Sequence, residues 1–331
     1  MSPSRLTAPT FKRLGKGILV AAVALLASTA NADSSSMVLQ GQQGWLFPGW
    51  GSLTDVDNKG IDTSTALINE ARQALAARNI KLQVLLLPDK TLFYQDKLPA
   101  GKALSAAVQA RYPLILNKLK QSGISTFDDF GVLSQVKASG KDVFYRTDQH
   151  WTQAAADATA VATAAQIKQD EPSLKGNAGT GMKLGSEYKE RRFGDLAELF
   201  LTPEQRKATG RETFLVRRQE ASGGLLDAAA APVHVTGHSM VQPYFGFPQK
   251  LSNLIDRPVS VNWKPGNLGH WIMLLEYLES ADFKNNPPQV LVWQMFEPSY
   301  AYGPNAPGIW DNASNMSDSV WRQRLHKALG Q

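Results

Sequence analysis

The 331-residue sequence contains no cysteine. That excludes disulfides, thiolate nucleophiles and Cys-based zinc sites, none of which an exported protein requires. No H-E-x-x-H pattern occurs either. His234 and His238 stand four apart, a spacing suited to two ligands on one helix face, but they fall across a predicted strand and turn. No metal and no other cofactor is therefore expected. No long low-complexity linker and no internal repeat is present. A strong charge of one sign is missing as well. The chain is formally +6, but Arg5, Lys12, Arg13 and Lys16 all precede residue 33 and no acid accompanies them, which leaves about +2 for the rest. Nucleic-acid binders carry a larger basic footprint, so no nucleic-acid partner is expected. An anionic polymer is compatible with this charge but not required by it.

What is present begins with the N-terminus. The four basic residues are followed by the apolar run Gly17 to Ala27 and by the small-x-small sequence Ala30 to Ala32. The apolar run is shorter than the roughly 18 residues that span a bilayer. This order is that of a secretory signal peptide, residues 1–32, cleaved before Asp33. The expected location is the periplasm, with an uncleaved inner-membrane anchor as the alternative. The remaining residues, 33–331, have the length of one large domain or two smaller ones.

Strand and helix patterns alternate. Apolar positions recur at helical spacing from Thr63 to Asn79 and again from Leu104 to Lys120, where Pro113 is expected to kink or split the helix. Leu82 to Pro88 reads as a strand covered on both faces. Further strands are expected at Ile124–Phe127, 231–237, 257–262 and 289–295, with a helix starting at Thr152 as N-cap and a last one near Trp321. The fold class is α/β, a three-layer sandwich with a mostly parallel sheet. The polar stretch from about 170 to 230 breaks the rhythm and reads as an insertion at the sheet's edge or over its active rim.

Two short stretches carry candidate chemistry. In "FYRTDQHWT" (Phe144 to Thr152), Asp148 precedes His150 by two residues. In an extended segment such residues point the same way. In "VHVTGHSM", Ser239 follows a strand at a turn that Gly237 permits. A serine hydroxyl is a poor nucleophile until a base takes its proton, and a carboxylate must orient that base. Each stretch alone also fits a polar turn or a cap. Together they fit a triad of Ser239, His150 and Asp148 on the rim formed by strand carboxyl ends. Trp151 reads either as a sugar platform or as a core anchor beside the triad.

Six elements in one order then resemble a known family: "GWLF" at 44–47, "LLLPDKTLFYQDKLP" at 85–99, "DQHWT" at 148–152, "GDL" at 194–196, the G-x-S turn at 237–239 and "VLVWQMFEPSY" at 290–300. Together they resemble the alginate O-acetyltransferase family, AlgJ/AlgX-like proteins with an SGNH-hydrolase-like domain. The resemblance implies Ser239 as nucleophile, His150 as base and Asp148 as its orienter. It brings Lys90 and Tyr94 of the "P-D-K…Y" element to the site, and Gly266 or Asn267 to the oxyanion. It implies acetyl transfer to an exported polysaccharide, alginate or an acetylated cellulose or related glucan, and a membrane-bound O-acyltransferase that passes the acetyl group across the membrane. An acetyl esterase with the same triad, or a non-catalytic scaffold of an export complex, are the alternatives. Departures are His238 in the turn, and Gln294 and Ser299 where charged residues are expected, which bears on acceptor recognition. Arg191, Arg192 and Asp195 of the insertion are candidate sugar contacts.

Overall fold

The structure, a computed structural model, describes residues 37–218 and 230–331. The expected signal peptide lies outside these residues. Among the described residues no helix is long and apolar enough to cross a membrane.

The N-terminal strands β1 (Val38–Gln40) and β2 (Leu46–Pro48) form a short antiparallel hairpin. Then come α1 (Asn58–Ala76), β3 (Lys81–Leu87), α2 (Lys90–Phe93), α3 (Ala106–Gln121), α4 (Asp129–Ala138) and α5 (Gln153–Asp170). The segment that follows holds β4 (Glu187–Arg192), α6 (Asp195–Phe200), α7 (Pro203–Thr209) and β5 (Glu212–Arg217). The chain continues through β6 (Val233–His238), α8 (Phe247–Ile255), β7 (Val259–Lys264), α9 (His270–Glu279), α10 (Ala281–Asn285), β8 (Val290–Phe296) and α11 (Asp318–Ala328).

The central sheet has the order β3-β8-β6-β7 and every pairing is parallel. Its side chains alternate between two apolar faces. Leu85, Leu87, Val290, Val292, Val233 and Val235 pack with Ala156 of α5 and Leu251 of α8. Leu82, Val84, Leu86, Leu291, Trp293 and Met295 pack with α1, α3, α9 and α11 on the other side. Covering a parallel sheet on both faces explains why β3 and β8 read as unbroken apolar runs. Because all four strands run the same way, the residues after β3, β6, β7 and β8 reach one rim.

Three expectations change. Pro113 neither splits nor ends α3. It is exposed, and so is Gln109, whose carbonyl loses the proline's N–H as a partner and can turn to water instead. Ile124–Phe127 is not a strand; one parallel bridge, Gln83 to Ser125, is all that forms before Asp128 caps α4. The 170–230 segment is not only polar. Its β4–β5 hairpin buries Phe214 and Val216 in the main core, while Leu196, Ala197 and Leu201 pack with Val38 and Leu46 of the N-terminal hairpin.

Candidate active site

Ser239 opens a 3-10 turn directly after β6 and is half-buried. Gly237 must be small, because a Cβ there would lie 2.7 Å from the Gln294 side chain on the neighbouring strand. Gln294 is buried and accepts the His238 amide hydrogen at 2.9 Å. Buried Ser299 likewise donates to the Phe296 carbonyl. Gln294 therefore frames the turn behind the serine, whereas Ser299 is buried in the turn after β8.

The Asp148–His150 stretch does not continue a sheet strand. A single antiparallel bridge between Phe144 and Trp151 closes it as a tight loop, with Tyr145 N donating to His150 O and Thr152 N to Val143 O. Asp148 and His150 meet by a turn, not by extended geometry. The His150 amide donates to Asp148 Oδ1 at 3.0 Å, the local bond that aspartate favours in turns. His150 Nδ1 lies 2.6 Å from the same oxygen, and His150 Nε2 lies 2.7 Å from Ser239 Oγ. The Phe245 ring stacks on the imidazole at 4.5 Å.

Asp148 and His150 are both buried. Burial pushes the Asp148 carboxyl up, but His150, Arg192 and the Asp195 amide overcome it and hold the group well below the usual carboxylate range. Asp148 is then an anion with no proton to give. The hydrogen between the two sits on His150 Nδ1, and Nε2 is left to accept the Ser239 O–H. Asp148 Oδ2 accepts the Asp195 amide at 3.0 Å, with Arg192 Nη2 3.7 Å away. Arg192 also contacts the Asp195 carboxylate at 3.3 Å.

Asp148, His150 and Asp195 bring one possible ligand atom each within 4.8 Å of one another, the one such cluster among the described residues. Arg192 already lies against both carboxylates, so the chain supplies the cation there itself. His234 and His238 do not converge: His234 bonds Ser260 and Asn262 and stacks on Tyr277, whereas His238 sits at the far end of β6. Burial lowers His238 to about 4, and His270, the buried first residue of α9 against Trp271 and Trp293, is held well below its ordinary value by burial.

The structure buries three residues expected at the site, and for Trp151 it takes the core-anchor alternative. Lys90 is fully buried, and its Nζ donates to the backbone carbonyls of Leu46, Tyr145, Arg146 and Asp148 at 2.6 to 3.1 Å. Burial draws it down to about 7, against the pull of Glu212 and Asp148. It ties the N-terminal hairpin to the Asp148 loop. Tyr94 is buried too, donating to Asp142 and accepting the Val143 amide hydrogen. Trp151 is wholly buried and packs against Phe247, which makes it a core anchor. None of the three side chains is open to a polymer. Gly266 opens the turn after β7 and would, with a Cβ, come 3.6 Å from His238 Nδ1; Asn267 beside it is exposed. Arg191 is exposed on β4.

Glu212 carried no signal in the sequence. Its carboxylate accepts the Arg146 and Thr147 amides and the Thr147 hydroxyl, and so fixes the loop ahead of Asp148.

Comparison with known proteins agrees with this architecture. A family model described as "SGNH hydrolase-like domain, acetyltransferase AlgX" matches residues 38–297. The chain belongs to this family. The probable alginate O-acetylase AlgJ of Pseudomonas fluorescens is 30% identical over 272 residues, which are 78% of this chain and 67% of that protein. The alginate biosynthesis protein AlgX of Pseudomonas putida is 25% identical over 312 residues, 90% of this chain and 61% of AlgX. The O-acetyltransferase domain of Pseudomonas putida AlgJ superimposes with a TM-score of 0.72 at 23% identity, covering 88% of this chain and 99% of that one. At that identity the likeness speaks for the SGNH-hydrolase-like fold. In this AlgX-type domain the rim that holds Ser239 is the carboxyl edge of the parallel sheet, where such folds gather ligands.

Proposed function

We propose that this AlgX-type domain is a periplasmic O-acetyltransferase that acetylates an exported polysaccharide through an acetyl-Ser239 intermediate. One observation carries the reading: an unbroken hydrogen-bonded line from Asp148 through His150 to Ser239 Oγ, with links of 2.6 and 2.7 Å. In the first half-reaction Ser239 Oγ attacks the acetyl carbonyl of the donor while His150 Nε2 takes its proton. The imidazolium returns that proton to the departing donor oxygen. In the second half-reaction His150 takes a proton from a sugar hydroxyl, which attacks acetyl-Ser239, and Ser239 recovers the proton. Asp148 holds the imidazole in one tautomer and offsets its charge throughout. Gly266, beside His238, is proposed to border the oxyanion, with Asn267 next to it. No resident cofactor is needed for these steps. A membrane-bound O-acyltransferase is the proposed acetyl source. The names of the relatives favour alginate as the acceptor, with acetylated cellulose or a related glucan as the other candidates.

The test is twofold. Incubation with p-nitrophenyl acetate and peptide mass analysis should find one acetyl group on Ser239. Cells carrying only Ser239→Ala should export the protein but not acetylate their polymer. Normal acetylation by that variant would reject catalysis and favour the scaffold reading. Rapid hydrolysis of acetylated oligosaccharide with no transfer would favour an esterase with the same triad.

A further inference from the structure

His150 is flanked by two carboxylates, not one. Asp148 Oδ1 is its hydrogen-bond partner, and Asp195 Oδ2 lies 3.6 Å from the same ring nitrogen, Nδ1. Asp195 comes from a distant segment. It is the first residue of α6, carried to the triad because Gly194 lets the chain pass hard against Thr147 and Asp148. Between the two acids stands one guanidinium. Arg192 lies 3.3 Å from Asp195 and 3.7 Å from Asp148, rests 3.9 Å over the Phe214 ring, and donates to Phe193 O and Tyr244 Oη.

The charges decide what this arrangement favours. With neutral His150, the two carboxylates and Arg192 leave the cluster at minus one. With an imidazolium the cluster is neutral. A triad with Asp148 and Arg192 alone would instead go from neutral to plus one, because Arg192 would cancel the one carboxylate. Separated charges in a site shielded from water interact more strongly than in solvent, so this difference bears on the step in which His150 takes a proton. The remaining charged groups around the loop are occupied elsewhere. Glu212 receives the Arg146 and Thr147 amides, Lys90 is spent on backbone carbonyls, the Arg146 side chain donates to Gly44 O and Thr209 O, and Glu190 accepts Tyr244 Oη. Ser239, Phe245 and the neutral His238 supply no charge to His150.

Resting on the serine-mediated reading above, we propose that Asp195 is a positioning residue that balances Arg192 and offsets the positive charge His150 gains when it takes the Ser239 proton. Asp195 acts through the imidazole and needs no contact with acetyl donor or sugar. Burial and the nearby Asp148 raise its own carboxyl, while the facing His150 and Arg192 favour the anion and oppose that rise.

The experiment uses the full chain and the pH profile of kcat/KM for p-nitrophenyl acetate, a small neutral ester. Asp195→Asn keeps the side chain's size and leaves the backbone bond to Asp148 intact. Its acid limb should move down by about 0.5 to 1.5 pH units, less than the ~1–3 units of a fully buried opposite charge because Asp195 is partly exposed. The plateau rate should fall roughly 3- to 10-fold with KM little changed. Arg192→Gln should move the limb up. A limb that stays where it is in Asp195→Asn overturns the proposal, whether or not the rate falls, since a purely structural role changes rate without moving the profile. Ser239→Ala is measured alongside. If it hydrolyses the ester as well as wild type, the serine reading itself fails and this inference with it. If it is inactive, the Asp195→Asn profile decides the inference alone.

Discussion

Gly194→Ala tests whether the site depends on one close approach between distant segments. Gly194 has φ −78° and ψ 161°, a conformation open to any residue, so the substitution carries no backbone strain. The conflict is steric. An added Cβ would lie 2.7 Å from Asp148 Cβ and closer still to the Thr147 carbonyl. Ordinary carbon contacts begin at roughly 3.5 Å and the Thr147 carbonyl carbon would lie at 2.5 Å, so one segment must retreat by ~1 Å. That retreat stretches the Gly194 N–Thr147 Oγ1 and Asp195 N–Asp148 Oδ2 bonds, both 3.0 Å. Two weakened bonds at about 1 kcal/mol each and an overpacking cost of about 1–3 kcal/mol oppose a gain of about 0.4–1 kcal/mol from a stiffer unfolded chain. The clash wins by about 2–4 kcal/mol, or a Tm lower by roughly 3–6 °C at this chain length. Because Asp148 itself is pushed, kcat for p-nitrophenyl acetate should fall further than stability suggests, toward the ~100-fold typical of a 1 Å misplacement. Thermal melts and steady-state rates on the same preparation check both figures. A variant with wild-type kcat and a Tm unchanged or raised would refute the reasoning.

Lys90→Met should lower stability by about 2–4 kcal/mol and kcat with it. Carbonyls of Leu46, Tyr145 and Asp148 lose their ammonium donor, at about 1–3 kcal/mol each, while the removed cost of burying a charge offsets part. Urea unfolding measures it, and a loss below about 1 kcal/mol would show that the carbonyl cage is dispensable. Asp129→Asn should change the pH dependence of stability. Burial raises Asp129 from 3.8 to about 7, and its Oδ2 has no partner. The folded-state value lies above the unfolded one, so this group's contribution is complete below about pH 4 and is lost as pH rises through about 7. Relative to the Asn variant, wild type should lose roughly 2–4 kcal/mol between pH 4 and pH 8. A gap between the two proteins that stays constant over that range, in urea melts, would contradict the assignment.

The layered fold was legible in the residue pattern alone. Apolar runs as short as "LQVLLLP" and "VLVWQMF", bounded by proline or polar residues, read as strands buried on both faces, and amphipathic helices cover them. The capping of α5 by Thr152, a local hydrogen bond between near neighbours, was legible too. The Asp148–His150 pairing was legible because it spans two residues, although the chain achieves it by a turn rather than in extended form. Side-chain direction and long-range approach were not legible. "PDK" placed Lys90 at a strand end near the rim, but only the packed hairpin and loop turned its ammonium inward onto four carbonyls. Trp151 follows the histidine directly, yet the core beneath α8 took its ring. Asp195 and Glu212 lie 47 and 65 residues from their partners in the Asp148 loop. No local pattern reports a contact at that separation. The β4–β5 hairpin delivers both, and it does so because burying Phe214 and Val216 against the main core fixes where its polar residues end up.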